Sequence, residues 1–378
     1  MREKLPGRYG KSMSGEKSIM TDGFYKGRKV FITGHTGFKG SWLAIWLKKL
    51  GAEVSGFALE PPTEPSMFEI CGIGEKIHSV TGDIRDRNGL ENALLKAEPE
   101  IVFHLAAQPL VRVSYDRPAE TYETNVMGTV NLLDAIRRCP SVRAVVVVTS
   151  DKCYENTESS SGYRETDRLG GYDPYSSSKA CQELVTSAYV RSFFNTAEYG
   201  RHGVAIATAR AGNVIGGGDF AKDRLVPDII KSIINGEQLR IRYPRAVRPW
   251  QHVMEPLCGY MALARRLYLE GPAYSGAWNF GPDPESIETV EWIVGRLFKY
   301  FEKDCNYIAD TYGNPHEAGC LKLDSSKAKQ LLGFRPRFDL EQALQKTVHW
   351  TNAFLGKADM LQVTLEQIDE YESEGRAQ

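Results

Sequence analysis

From Lys29 onward, short apolar runs alternate with longer amphipathic stretches, and this alternation is the mark of βαβ units laid into a mostly parallel sheet. The pattern predicts strands over Lys29–Thr33, Glu53–Ala58, Lys76–Gly82, Ile101–Ala106, Ala144–Thr149 and Val204–Ala209. Several of these are apolar throughout, which suits strands covered on both faces. Between them, Gly37–Leu50 sets Trp42, Leu43, Ile45, Trp46 and Leu50 at helical spacing, and Pro118–Arg138 and Pro174–Phe194 read as longer helices. A doubly wound sheet follows.

After about Ala211 the rhythm breaks into Gly, Pro and Arg clusters: Gly216-Gly217-Gly218, Arg240 to Arg248, and Gly281-Pro282-Asp283-Pro284. Helical patterns return at Pro227–Asn235, Glu288–Phe301 and Leu340–Phe354, with an acidic stretch beyond that reads as one more surface helix. The expected fold class is therefore α/β, a Rossmann-type doubly wound parallel sheet with a smaller C-terminal substrate-binding lobe. Residues 1–26, polar and without an apolar core segment, read as a flexible extension; 27–210 read as the dinucleotide-binding domain, and 211–378 mainly as the lobe, with some segments returning to the first domain.

Composition narrows the function classes. Lys plus Arg is 47 against 48 for Asp plus Glu, so no global field draws the chain to nucleic acid or to acidic membranes. The seven cysteines are an odd number, widely spaced and without a C-x-x-C pair, which points to reduced thiols in a cytoplasm. The histidines are as scattered, so no metal is expected. The longest wholly apolar run, around Ala144 to Val148, is far short of the roughly 20 residues that cross a bilayer.

Three motifs carry chemistry. The first is Thr33-Gly34-His35-Thr36-Gly37-Phe38-Lys39-Gly40, between a predicted strand and a predicted helix. Gly34 lets the chain turn tightly, Gly37 lets backbone N–H groups approach a pyrophosphate, and Gly40 lets the helix pack closely on the sheet. The helix N-terminus adds partial positive charge, so Gly34, Thr36, Gly37, Phe38, Lys39 and Gly40 are candidate cofactor contacts. Glu60, just past the second strand, is placed to accept the adenosine ribose hydroxyls; its other reading is a solvated loop carboxylate. No Arg follows that strand to grip a 2′-phosphate, which favours NAD over NADP.

The second motif is Asp173-Pro174-Tyr175-Ser176-Ser177-Ser178-Lys179, where Asp173 can cap and Pro174 can open a helix. Tyr175 and Lys179, four apart, then share one face, and the ammonium favours the phenolate, tuning a tyrosine toward general-base work. The third is Thr149-Ser150-Asp151-Lys152, at the carboxyl end of the apolar fifth strand, where open α/β sheets bind ligands. Ser150 can hydrogen-bond a reacting hydroxyl. Asp151 and Lys152 are an acid and base pair, but strand neighbours point to opposite faces, so both reach one pocket only if the strand has already bent. The bland alternative is a surface loop pair.

Together with His104-Leu105-Ala106-Ala107-Gln108 and Asn125-Val126-Met127-Gly128-Thr129, these motifs resemble the extended short-chain dehydrogenase/reductase family from Lys29 to about Phe354. Within it, Ser150-Asp151-Lys152, Phe38-Lys39-Gly40-Ser41-Trp42, Leu59-Glu60-Pro61-Pro62-Thr63 and Arg248-Pro249-Trp250-Gln251-His252-Val253 are similar to the sugar-nucleotide 4,6-dehydratases that act on CDP-glucose. Most related dehydratases carry Thr-Asp-Glu where this chain has Ser-Asp-Lys. The resemblance implies that Tyr175, assisted by Ser150, removes the proton of the C4 hydroxyl as C4 is oxidised with NAD. The 4-ketone acidifies C5, so Lys152 takes the C5 proton while Asp151 protonates the departing C6 hydroxyl.

The resemblance also implies that Asp83 and Ile84 hold the adenine and that Leu105, Ala106, Ala107, Gln108 and Asn125 lie along the cofactor. For the substrate it implies Gln108, Asn213 and a diphosphate arginine, Arg248, with Arg224, Arg240, Arg242 and Arg245 as further candidates. His104 is expected to pack at its strand end. Relatives pair through long helices, here those around Pro118–Arg138 and Pro174–Phe194, so a homodimer or homotetramer is expected. Two other readings compete: a sugar-nucleotide 4-epimerase, which needs no acid to expel the C6 hydroxyl, and a non-catalytic NAD-binding protein on the same fold.

Overall fold

The computed structural model describes residues 23–159, 161–310 and 319–374. Seven parallel strands form one sheet, and in chain order they are Lys29–Thr33, Glu53–Ala58, His78–Thr81, Ile101–His104, Ala144–Val148, Ala205–Ala211 and Gly276–Phe280. The spatial order runs outward in both directions from the first strand, and places Gly276–Phe280 at one edge and His78–Thr81 at the other. The order reverses between Lys29–Thr33 and Ile101–His104, so a crevice opens at their carboxyl ends. The α/β, doubly wound reading holds.

Apolar clusters cover both faces of the sheet. On one face the helices Phe38–Lys49 and Met254–Glu270 bury Trp42, Trp46, Leu257 and Met261, together with Trp350 and Tyr371 from the C-terminal helices Leu340–Leu355 and Met360–Glu374. On the other, helices Arg87–Ala97, Gly128–Ile136 and Pro174–Ser192 cover Phe31, Val102, Val145 and Ile206. Truncating any of the fully buried tryptophans costs about 3–5 kcal/mol. A third cluster, Val226, Ile229, Ile241, Trp250, Ile293 and Leu344, is the core of a smaller unit beyond the sheet.

Two elements lie outside the sequence expectation. Met254–Glu270 is a 17-residue helix under the sheet, and Gly276–Phe280 is the seventh strand, so residues 254–280 belong to the sheet and its covering layer. The region read as one helix over 118–138 is Pro118–Tyr122, a π-turn over Glu123–Met127, and Gly128–Ile136. At the N-terminus, residues 1–22 of the expected extension lie outside the described residues, whereas Tyr25 is buried and donates its hydroxyl to the Met261 carbonyl at 2.7 Å. The fold takes the chain from there.

The triple glycine is a packed joint. Trp42 Nε1 donates to the Gly217 carbonyl at 2.9 Å, and a Cβ on Gly217 would collide with the Trp350 ring. Gly218 turns at φ +82°, with its open side closed by Met67 Sδ 2.8 Å from where a Cβ would stand. The segment that follows, Asp219 to Arg224, is thereby fixed to the helix that begins at the glycine-rich turn.

Candidate active site

The glycine-rich turn is built as the spacing requires. Gly34 has φ +79°, and a Cβ there would stand 2.7 Å from Ala106 N; a Cβ on Gly40 would collide with the Gly34 carbonyl. Gly37 is different, because a Cβ on it would meet only Gly34 O at 3.5 Å. The fold does not need that glycine, and the space in front of it suits a ligand. No side chain caps the helix that Gly37 opens, so its first N–H groups are presented to that space. A dinucleotide pyrophosphate fits this turn.

The flanking candidates gather here to different degrees. Ala106 N donates to Thr33 Oγ1 at 3.2 Å and Leu105 N to Thr33 O at 3.1 Å, so the Leu105–Ala106–Ala107 run passes directly beside the turn. Thr36 Oγ1 donates to the Leu59 carbonyl at 2.9 Å and brings exposed Glu60 to the same rim, where its Oε1 accepts from Thr81 at 3.1 Å. Asp83 is held by Arg85, whose Nε and Nη2 reach its two oxygens at 2.6–3.0 Å, and these bonds keep its carboxyl below the usual range. Ile84 points into the core beside Gly128.

Two candidates turn away from the expected contacts. Asn125, wholly buried in the π-turn, accepts from Gln108 N at 2.8 Å and donates to Gln108 O at 3.1 Å and Ser178 Oγ at 2.8 Å, so its amide is committed to protein partners. Gln108 folds back likewise, Nε2 to Thr121 Oγ1 at 2.9 Å and Oε1 accepting from Leu110 N at 2.6 Å. Both residues brace the loop after the fourth strand. His104 packs at its strand end: Thr129 gives its one proton to Asn125 O, so His104 Nε2 donates to Thr129 and Nδ1 accepts from Thr33. Burial pushes this imidazole down to about 3, and it stays neutral.

At the carboxyl end of Ala144–Val148 the strand stops and Asp151–Cys153 forms a single 3₁₀ turn, capped by Ser150 Oγ accepting from Lys152 N at 3.2 Å. The chain bends here directly after the strand, and the Lys152 charge pulls the Asp151 carboxyl down. Asp151 is 3% exposed. Ser150 Oγ donates to its Oδ1 at 3.0 Å, while Oδ2 has no hydrogen-bond partner among the described residues. Burial raises the Asp151 carboxyl, against the pull of Lys152, Ser150, Arg248 and Lys39. That balance favours the uncharged acid more than an exposed carboxyl would.

Tyr175 is the second residue of its helix, capped by Asp173, which accepts from Ser176 N at 2.9 Å. Burial pushes the phenol up to about 12; a hydrogen bond with Ser150 and the Arg224 charge pull the other way. Lys179 is buried beneath it and donates to the Val148 carbonyl at 3.4 Å. Burial, followed by repulsion from Lys39, brings its ammonium down to about 7.

The arginines separate. Arg248 is buried and acts on Asp151, with Nη1 held by the Val247 and Gly319 carbonyls at 2.9 and 3.3 Å. Arg224, paired to Asp219 at 2.9 Å, acts on both Tyr175 and Lys39. Lys39 is brought down to about 8 by burial and then by Arg224. Arg242 instead sits near Asp228, and Arg240 and Arg245 are exposed. Asn213 is half-buried beside Gly212, where a Cβ would stand 2.9 Å from Asp151 Oδ2.

Sequence reasoning missed the support beneath this centre. Glu183, one turn past Lys179, accepts from Thr149 Oγ1 at 2.5 Å, Thr208 Oγ1 at 2.6 Å and Arg210 Nη2 at 2.8 Å. Arg210 also donates to Tyr154 at 2.7 Å, just past the 3₁₀ turn. The i, i+4 spacing of Lys179 and Glu183 was the available signal. Asp219, directly after the triple glycine, is the other omission.

The sequence model of the GDP-mannose 4,6 dehydratase family matches residues 31–347. The chain belongs to that family. A CDP-glucose 4,6-dehydratase from Salmonella typhimurium is 53% identical over 350 residues, spanning 93% of this chain and 98% of that relative. Among solved structures, an epimerase from Methanothermobacter thermautotrophicus superposes with TM-score 0.77 at 24% identity, covering 89% of this chain and 97% of that one. A dTDP-glucose 4,6-dehydratase from Bacillus anthracis, in complex with NAD, gives 0.71 at 21%, covering 88% and 99%. These two show the shared α/β fold, and the family assignment makes the chain a sugar-nucleotide enzyme of the dehydratase group.

Proposed function

We propose that this protein is a hydro-lyase that converts CDP-D-glucose to CDP-4-dehydro-6-deoxy-D-glucose. The observation that carries the reading is the 3₁₀ turn that sets Ser150, Asp151 and Lys152 together opposite Tyr175, in a chain 53% identical to a CDP-glucose 4,6-dehydratase. NAD, when bound, supplies a reversible oxidant that oxidises C4 and later reduces C6. Gly34, Thr36, Gly37, Phe38, Lys39, Gly40 and Glu60 would hold it, with Leu105, Ala106 and Ala107 alongside.

Tyr175, with Ser150, takes the proton of the C4 hydroxyl, and Lys179 orients the cofactor ribose. Once C4 is a ketone, Lys152 removes the C5 proton and Asp151, whose acid form burial favours, gives its proton to the C6 hydroxyl, which leaves as water. Arg248 and Arg224 receive the diphosphate, and Asn213 lines the sugar side. Residues 27–210 make the cofactor part and 211–378 mainly the sugar-nucleotide lobe.

A homodimer or homotetramer is supported by the exposed Met127, Leu184 and Phe193 on and beside the long helices. Free cysteines throughout the described residues support a cytoplasmic site, and no helix among those residues is long and apolar enough to cross a membrane. The product is a precursor for deoxysugars of O-antigen-type polysaccharides.

The test is product mass after incubation with NAD and CDP-glucose, UDP-glucose or dTDP-glucose in turn. Loss of one water from CDP-glucose alone is expected. An unchanged mass with inverted C4 would mean an epimerase, and no conversion of any of the three would leave only the NAD-binding fold.

A further inference from the structure

Two stretches of chain border the glycine-rich turn from different sides. One is the run of residues 105–108, which crosses so close to Gly34 that a Cβ there would stand 2.7 Å from Ala106 N. It leads into the short helix Val111–Asp116, which packs against the helix that carries Tyr175 and Lys179. The other is the triple-glycine joint, where a Cβ on Gly216 would stand 3.3 Å from Phe38 Cζ and where the Gly217 carbonyl holds Trp42. It leads through Asp219 to Arg224 into the lobe helix Leu225–Asn235.

The two stretches are fastened to each other. Arg112 Nη1 on the first donates to Asp223 Oδ1 on the second at 3.1 Å, across 111 positions of sequence. Asp223 is set for this contact by its backbone, which stands at φ +64°, in the left-handed region that is uncommon for residues other than glycine. The segment around it is folded on Asp219, whose carboxylate accepts from Ala221 N at 3.2 Å and from Arg224 Nη1 at 2.9 Å. One carboxylate therefore braces the segment from within, and the other reaches out to the opposite side. The side chains of Arg112 and Asp223 are 46% and 28% exposed, so the tie is weak enough to open and reclose.

We propose that Arg112 and Asp223 form a clasp that closes the cofactor crevice and slows the escape of NAD, both acting as positioning residues for cofactor retention. The dehydratase reading gives retention a use, since the hydride taken from C4 is returned to C6 and one cofactor molecule serves cycle after cycle. The clasp itself requires only that NAD binds at the glycine-rich turn.

The test is the release rate of radiolabelled NAD from the holoenzyme, chased with unlabelled NAD and followed by rapid filtration. Arg112→Ala and Asp223→Asn are compared with the double variant; asparagine tolerates the left-handed backbone, so Asp223→Asn removes the charge and keeps the turn. Each single variant should release NAD about two- to fivefold faster, the double variant no faster than either, and Arg112→Lys at close to the wild-type rate. Raising NaCl from about 0.05 to about 0.5 M should bring the wild-type rate toward that of the variants, which should themselves hardly respond. Melting temperatures should stay within about 3 °C of wild type, which separates a clasp from a brace of the fold. Unchanged release in both single variants, or single effects that add in the double variant, overturns the proposal, as does a wild-type protein that holds no NAD. Conversion of CDP-glucose plays no part in this measurement. A protein that leaves CDP-glucose untouched but shows the coupled release loses the dehydratase reading and keeps the clasp.

Discussion

Two buried ionic clusters flank the end of the fifth strand, and they are built in opposite ways. Glu183 and Arg210 are 4% and 3% exposed, and the carboxylate is met by two threonine hydroxyls and a guanidinium; in the whole cluster only Arg210 Nε is without a hydrogen bond. The Glu183 hydrogen bond and charge more than offset the cost of burying Arg210, and its guanidinium is held above its ordinary range. Asp151, as deeply buried, has one hydrogen bond and cations held off it, and its carboxyl is raised. A satisfied pair makes structure. An unsatisfied acid is pushed toward its protonated form.

The largest expected effect breaks the first cluster. Arg210→Met leaves Glu183 charged, buried and unpaired, and should cost about 3–5 kcal/mol of unfolding free energy in a urea titration. Asp151→Asn does the reverse: conversion of CDP-glucose should fall about 10²- to 10⁴-fold while the urea midpoint holds or rises, because a neutral amide replaces a buried acid. If both variants lost stability equally, the contrast between the clusters would collapse.

A pH experiment sharpens it. Lys179 titrates near 7 in the fold against an ordinary value near 10.5, so between these the unfolded chain binds more protons than the folded one. Its contribution to stability is therefore complete above about 10.5 and lost as pH falls toward 7. Unfolding free energy of the protein without ligands should climb from pH 7 to 9.5 by up to about 1.4 kcal/mol per unit from this group, and Lys179→Met should lack that climb. The smallest effect is the baseline: Arg112 pairs with Asp223 at 3.1 Å with both partners partly in solvent, and Arg112→Ala should change stability by less than about 1 kcal/mol.

What the sequence made legible follows from how each element is covered. Lys29–Thr33 and Glu53–Ala58 match to the residue, because β-rich runs bounded by Gly and polar positions announce themselves. Met254–Glu270 escaped because it is buried nearly all round, and Pro256 and Gly259 interrupt the apolar pattern that a half-exposed helix displays. Gly276–Phe280 escaped because an edge strand of five residues with Gly, Ala and Asn lacks the β-branched run of its neighbours. Tyr175, Lys179, Ser150 and Asp151 stood out as candidates through local turn chemistry joined to the family resemblance; the Glu183–Arg210 support did not, since it joins residues 27 apart through the sheet.

The joint at Gly216–Gly218 also governs where this molecule can vary. Its three glycines face Val253, Trp350 and Met67 within 3 Å of where a methyl group would stand, so the dimensions of the segment are set by side chains from other parts of the chain. Substitution has no foothold there, whereas at exposed positions such as Arg240 and Arg245 a side chain can change without any buried neighbour having to move.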